Sequence, residues 1–195
     1  MKDYVIRPFR GWRNIEALPI DTPLWGPVGD IAARGRVGWT VEDLRVLLEA
    51  REKHIRAEEH GPLGNPWEDS CLEFFLSPVE GDGRYINLEL NPNACLCMGL
   101  GDGARRLRIL WANAFLRPKV TFTADGWQVE YRVPFDLIRM FFPDFDPRPG
   151  AVMTGNFYKC GDRTALPHYL SWNPVNSPTP DFHRPQDFGM LVFTD

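Results

Sequence analysis

The stretch "WEDSCLEFFLSPVEGDGRYINLELN", residues 67–91, decides how this chain is read. Leu72, Phe74 and Leu76 fall on one side of an extended strand, with Cys71, Glu73 and Phe75 on the other. After the Gly- and Asp-rich segment "PVEGDGR" the alternation resumes, with Ile86, Leu88 and Leu90 opposed to Tyr85, Asn87, Glu89 and Asn91. Two strands at 70–77 and 84–90, joined by so short a turn, make an antiparallel hairpin.

The expected register sets Phe74 opposite Ile86, Leu72 opposite Leu88 and Glu73 opposite Asn87. A slip of one residue would set apolar against polar throughout, so the parity is fixed, whereas a slip of two leaves both faces intact. Directly opposed residues have Cβ atoms roughly 5 Å apart, and diagonal ones roughly 7–8 Å. The hairpin therefore gathers Glu73, Asn87, Glu89 and Tyr85 into one polar patch on the second face. A solvated strand face is the plain alternative. Against it, the patch mixes carboxylates with amides, carries the large rings of Phe75 and Tyr85, and has Trp67 just upstream behind Pro66. A fully extended chain would put Trp67 about 20 Å from Glu73. Trp67 joins the patch only if 65–70 bends back as a loop.

The same period recurs along the chain. In "WQVEYRV" (127–133), Trp127, Val129, Tyr131 and Val133 share one side, which makes Trp127 a core residue, and the preceding Asp125-Gly126 marks a hairpin. "RLRILW" (106–111), "VMTGNFYK" (152–159) and "FGMLVF" (188–193) are further strands. The segment "VEDLRVLLEAREKHIRAEE" (41–59) is rich in helix formers. Yet Leu44, Val46, Leu48 and Ala50 alternate, which predicts a strand over 43–52. "PFDLIRMFF" (134–142) predicts a helical turn with Pro134 in its first turn, and "MKDYVIRPFRGW" (1–12) an added edge strand. No internal repeat is visible. The expected fold is all-β, a jelly-roll-like antiparallel β-sandwich with one or two short helical turns, as a single domain over 1–195.

Composition agrees. A chain of 195 residues, 44% hydrophobic, builds a sizeable core, and its 18 prolines and 17 glycines are spread out as turns require. The net charge of −4 without a run of like charges gives no support to a nucleic-acid partner. No apolar run is long enough to span a membrane, and the N-terminus lacks the apolar core of a signal peptide. The chain as given is expected in the cytoplasm, or outside the cell if a leader has been trimmed. Its four cysteines, Cys71, Cys95, Cys97 and Cys160, form no CxxC pair. Cys95 and Cys97 share a side, but two thiols without nearby histidines make a poor zinc site, so reduced, buried thiols are expected. The oligomeric state is not legible.

In this order, "WEDSCLEFFLSP" (67–78), "YINLELNPNACL" (85–96), "WQVEYRVPFDLI" (127–138), "GNFYKC" (155–160) and "YLSWNPVNSPTPDFHRPQDFGMLVF" (169–193) resemble the family 9 carbohydrate-binding modules and their DOMON-like relatives. The resemblance covers about 35–195. It implies a β-sandwich that binds a mono- or oligosaccharide without cleaving it, the sugar lying between two tryptophans. Carried over, Trp67 and Trp172 match the clamp, and Glu73 matches the acid six residues after the first tryptophan. Asn87, Glu89, Asn91 and Arg84 match the polar group by neighbourhood. The family's calcium sites have no clear counterpart loop of clustered aspartates, so calcium is the one cofactor left open and no metal ligands are assigned.

These residue types suit a pyranose, which has apolar C–H faces and a rim of hydroxyls. Indoles offer flat apolar area, and carboxylates and amides offer paired acceptors and donors. Trp172 lies in the long loop 170–189, which holds four prolines, where packing at the loop base is the competing reading. Trp12, Trp25, Trp39 and Trp111 have no assigned role.

Three rivals stand beside sugar binding. A glycosidase needs two carboxylates about 6.5–9.5 Å or 5–5.5 Å apart, and Glu73 with Glu89 as diagonal neighbours meets the longer spacing. A haem-binding DOMON-like domain needs paired ligands from Met98, Met153, His54 and His168. A partner-docking domain needs no small ligand. Serine catalysis has no GxSxG, and a Cys160–His168 pair ranks low.

Overall fold

Residues 1–102 and 105–195 are described by a computed structural model. Among them fourteen strands form: β1 (Asp3–Pro8), β2 (Leu18–Ile20), β3 (Thr22–Leu24), β4 (Ala32–Trp39), β5 (Asp43–Arg51), β6 (Cys71–Ser77), β7 (Tyr85–Leu90), β8 (Leu96–Gly101), β9 (Arg106–Arg108), β10 (Lys119–Phe122), β11 (Gly126–Pro134), β12 (Val152–Cys160), β13 (Tyr169–Ser171) and β14 (Gly189–Phe193). Two short helices, α1 (Asn113–Leu116) and α2 (Phe135–Arg139), complete it.

The strands make the two layers of a β-sandwich. One sheet runs β1-β14-β12-β6-β7-β8-β9, with β13 beside β12 and β3 beyond it. The other runs β10-β11-β5-β4, with β2 and the end of β1 along β4. The first strand stitches them. Asp3–Ile6 pairs with Met190–Phe193 of β14, and Arg7 and Pro8 pair with Gly38 and Trp39 of β4. Both pairings are parallel, while the other ladders among the described residues are antiparallel, as expected of the sandwich. The N-terminal segment is an edge strand of both sheets at once.

The strand expected at 43–52 forms as Asp43–Arg51 despite its helix formers. Between β4 and β11, Leu44, Val46, Leu48 and Ala50 turn into the core, and that burial outweighs the per-residue preference for helix. Trp127, Val129 and Val133 of β11 are fully buried. Gly126 owes its place to more than the turn. A Cβ there would stand 1.9 Å from the Ala50 carbonyl oxygen, so only glycine lets β5 come this close.

Three local expectations need adjusting. The strand at 106–111 ends at Arg108, and the chain turns through 110–112 into α1. The helix begins at Phe135, with Pro134 as the last residue of β11. In the central hairpin the parity holds, but the register is shifted by two: Leu72 faces Leu90, Phe74 faces Leu88, and Glu73 faces Glu89. Pro78 cannot donate to the ladder, and Gly81 and Gly83 take φ of +78°, so all of 78–84 stays in the turn.

The core face of β6 stacks Phe74 on Phe157 of β12, rings 4.4 Å apart and parallel within 1°. Alternation also carries Lys159 into this interior, where it is fully buried. Its Nζ lies 3.3 Å from Glu52 Oε1, 2.7 Å from His168 Nε2, and donates to the Cys160 carbonyl at 2.9 Å. Trp127 Nε1 and Ser70 Oγ donate to the same Glu52 carboxylate at 2.7 and 3.0 Å. Every member is partnered, which is the condition for tolerating a charge there.

Candidate functional site

The second face of β6, β7, β8 and β12 is as dry as the first over half its length. Phe75, Tyr85 and Tyr158 are buried there under Val175 and Phe188 of the long loop before β14. The loop leaves the polar half uncovered. Over that half lies a cleft of about 760 Å³, whose floor carries Glu73, Asn87, Glu89, Cys97, Gly99 and Cys160.

Glu73 and Glu89 are direct cross-strand partners, both almost fully buried. The Asn87 amide donates to Glu89 Oε1 at 2.8 Å, and the Cys160 thiol donates to Glu73 Oε1 at 2.9 Å. Burial, offset in part by the Asn87 amide, pushes the Glu89 carboxyl up to about 7. Burial first, then the Cys160 thiol and the Glu89 carboxylate, push Glu73 well above the usual carboxylate range. The floor therefore offers both O–H donors and carboxylate acceptors near neutrality. The Asn87 Oδ1 atom is buried without a hydrogen-bond partner among the described residues. The side chain lies across β8, because a Cβ at Gly99 would meet that oxygen at 2.3 Å.

The walls come from loops. The segment 65–70 does bend back: a 3-10 turn over Pro66–Glu68 brings Trp67 to the cleft. Backbone hydrogen bonds from Asp162 and Arg163 to the Trp67 and Glu68 carbonyls, both 3.0 Å, hold it there. Arg108 sits 5.9 Å from the Trp67 ring centroid and donates to the Gly64 carbonyl. Trp25 lines the cleft as well, its ring packed on Tyr169 and Phe182 at 5.5 and 5.4 Å and its Nε1 donating to the Ser177 carbonyl at 2.7 Å. His183 approaches the Tyr85 hydroxyl at 2.9 Å, and burial holds its imidazole down to about 4, so it is neutral. Arg106, Asp162 and Asp181 add to the polar lining.

Of the residues singled out in the sequence, Trp67, Glu73, Asn87 and Glu89 line this cleft, and Arg84, Asn91 and Trp172 do not. Trp172 is a core residue. Its backbone N–H bonds the Phe157 carbonyl at 2.9 Å, extending the β13–β12 ladder by one residue. Alternation then sends Leu170 and Trp172 inward while Tyr169 reaches the cleft. Arg84 lies at the far end of the hairpin, paired with Asp82 and resting 4.8 Å from the Phe142 ring. Asn91 is a loop staple: its amide donates to Asp69 and the Glu59 carbonyl, and its oxygen accepts from the Asn93 and Cys95 backbone. Asp69 serves the same loop, accepting the backbone N–H groups of Glu58 and Glu59 at 2.8 Å.

The rival chemistries fare differently. Met98 and Met153 are core residues, and His168 contacts Lys159 and the Leu166 carbonyl, so neither the haem pairing nor the Cys160–His168 pairing is assembled. The Glu73–Glu89 pair is direct, not diagonal, which corrects the longer carboxylate spacing expected for a glycosidase. Sequence reading missed Trp25, Arg106, Arg108, Tyr169, Phe182 and His183 as lining residues. Only the Pro-rich loop carried a signal, and there the lining residues are Pro180, Asp181, Phe182 and His183 and not Trp172.

The sequence matches the model of a family described as "Carbohydrate-binding family 9" over residues 12–193. No curated protein matches it. Among solved structures, a candidate carbohydrate-binding protein from Bacteroides uniformis is 28% identical, with 98% of this chain and 99% of that one covered at a TM-score of 0.83. A family 9 carbohydrate-binding module from Caldicellulosiruptor kristjanssonii, in complex with glucose, is 14% identical, with 99% of this chain and 96% of that one covered at a TM-score of 0.72. The same kind of module bound to cellotriose gives 14% identity, 99% and 94% coverage and a TM-score of 0.70. At that identity the likeness concerns the fold.

Proposed function

The chain belongs to carbohydrate-binding family 9, and from that premise we propose that its cleft binds a mono- or oligosaccharide without cleaving it. One observation carries the reading: Trp67 stands in the same cleft as the buried acid–amide floor of Glu73, Asn87 and Glu89. Trp25 takes the part that the resemblance gave to Trp172, as the second indole against the sugar's apolar face. Glu73 acts as a hydrogen-bonding arm for ring hydroxyls, and Asn87 and Glu89 extend the row. The glucose and cellotriose held by the Caldicellulosiruptor modules make β-linked glucose units the first ligands to try.

Magnitudes bound the affinity. Two indoles covering roughly 100 Å² each at about 25 cal/mol per Å² contribute about 5 kcal/mol gross. Immobilising the ligand costs at least about 4 kcal/mol. Hydrogen bonds to the floor supply the surplus, which places the dissociation constant between micromolar and millimolar. Titration of intrinsic tryptophan fluorescence with glucose, cellobiose and cellotriose tests this. A saturable change that Trp67→Ala removes is expected, and no response to any sugar would overturn the reading.

Hydrolysis is the second reading, because direct cross-strand partners have Cβ atoms about 4.5–5.5 Å apart, near the spacing of a retaining pair. The two carboxyls, however, sit side by side on one floor, where a glycosidase needs them flanking the scissile bond. Release of aryl alcohol from aryl glycosides by the wild-type protein, lost in Glu73→Gln, would decide for the enzyme.

A further inference from the structure

We infer that Cys71, Glu73 and Cys160 form a binding site for a thiophilic divalent cation of the zinc class, set in the floor of the cleft. The site is made by the β6–β12 ladder, which makes Cys71 and Cys160 direct partners across 89 residues of sequence and places Glu73 two residues along on the same face. Their ligand atoms, two sulfurs and a carboxylate oxygen, lie within 4.8 Å of one another, and all three residues are buried. The Cys160 sulfur is 2.9 Å from Glu73 Oε1. Tetrahedral zinc, with bonds of about 2.3 Å to sulfur and about 2.1 Å to oxygen, keeps neighbouring ligand atoms about 3.6–3.8 Å apart. Each separation therefore changes by about 1 Å or less, within reach of side-chain rotation on a fixed ladder.

Donor type selects the cation. Two thiolates with one carboxylate favour zinc-class ions, whereas calcium and magnesium take oxygen shells. Three protein ligands leave a fourth position, and since Glu73 and Cys160 line the cleft while Cys71 is fully buried outside its lining, we place that position toward the cavity. The Lys159 ammonium, donating to the Cys160 carbonyl at 2.9 Å, fixes the backbone from the opposite face of the sheet. Capture of the cation displaces the protons of buried thiols, so binding releases acid. Of these three residues, sugar binding as proposed gives a ligand contact only to Glu73, and it assigns no contact with the sugar to either thiol.

The inference stands apart from the sugar reading, because its readout is the metal's own spectrum. Titration of the reduced protein with Co²⁺ is expected to give a thiolate-to-cobalt charge-transfer band that saturates at one equivalent and is bleached by Zn²⁺. Cys71→Ser and Cys160→Ser each remove the band, and Cys95→Ser keeps it. Absence of the band at saturating Co²⁺, or its survival in Cys160→Ser, would overturn the site. Zinc-edge X-ray absorption on the unsubstituted protein guards against misfolded variants: two sulfur ligands are expected, and a shell of oxygen and nitrogen alone would sink it.

Discussion

The indole of Trp172 stands edge-on to the ring of Phe157, centroids 5.9 Å apart and planes at 76°, in the interior between the sheets. Trp67, by contrast, is partly exposed at the cleft. The two tryptophans should therefore separate stability from binding. Trp172→Ala is expected to cost about 3–5 kcal/mol in urea unfolding, with the sugar response of the remaining folded protein intact. Trp67→Ala should leave stability within about 1 kcal/mol and abolish the response. Equal loss of stability in both would contradict the assignment.

Gly99 is the position where the floor admits least change. In Gly99→Ala the new methyl group displaces Asn87, whose oxygen would lie 2.3 Å away, and breaks its 2.8 Å bond to Glu89. A several-fold weaker sugar affinity is expected with a stability loss of about 1 kcal/mol, measured by titration and thermal unfolding. Unchanged affinity would remove Asn87 from the site.

Lys159→Met leaves the Glu52 carboxylate in the core without its counter-charge. A loss of about 3–5 kcal/mol is expected, and adding Glu52→Gln should recover part of it. The double-mutant cycle reads the coupling directly, and strictly additive losses would show that the two groups do not act as a pair.

Acid should destabilise the fold through His168. Burial first, and then the Lys159 ammonium beside it, hold its imidazole down to about 4. The unfolded residue takes up a proton near pH 6.5 and the folded one does not until about pH 4. The His168 contribution is therefore complete above pH 6.5 and is lost between 6.5 and 4, by at most about 1.4 kcal/mol per pH unit, while the raised Glu73 and Glu89 carboxyls act in the opposite sense. Denaturant midpoints of wild type and His168→Gln across this range check it: the stability difference between the two should change in favour of the variant as pH falls from 6.5 to 4, and a constant difference would contradict it.

The faces of the strands were legible because alternation is local. Leu72, Phe74 and Leu76 against Glu73 and Phe75, the strand at Asp43–Arg51, and the inward Trp127 all follow from a period of two between neighbours. So did the gathering of Glu73, Asn87 and Glu89 on one surface. The two-residue shift that sets Glu73 opposite Glu89 did not follow, because both registers bury the same residues and differ only in the turn at 78–84, where Pro78 and the positive φ of Gly81 and Gly83 lie.

The sequence by itself determined that this chain is a β-sandwich with an acid–amide surface on one face of its central hairpin, since burial pattern is written residue by residue. Tertiary structure alone decided which rings wall that surface, that β1 joins both sheets, that Trp172 turns inward, and that Cys71 meets Cys160. Those pairings are set by which distant strands share a ladder, and periodicity within one strand holds no record of its partner.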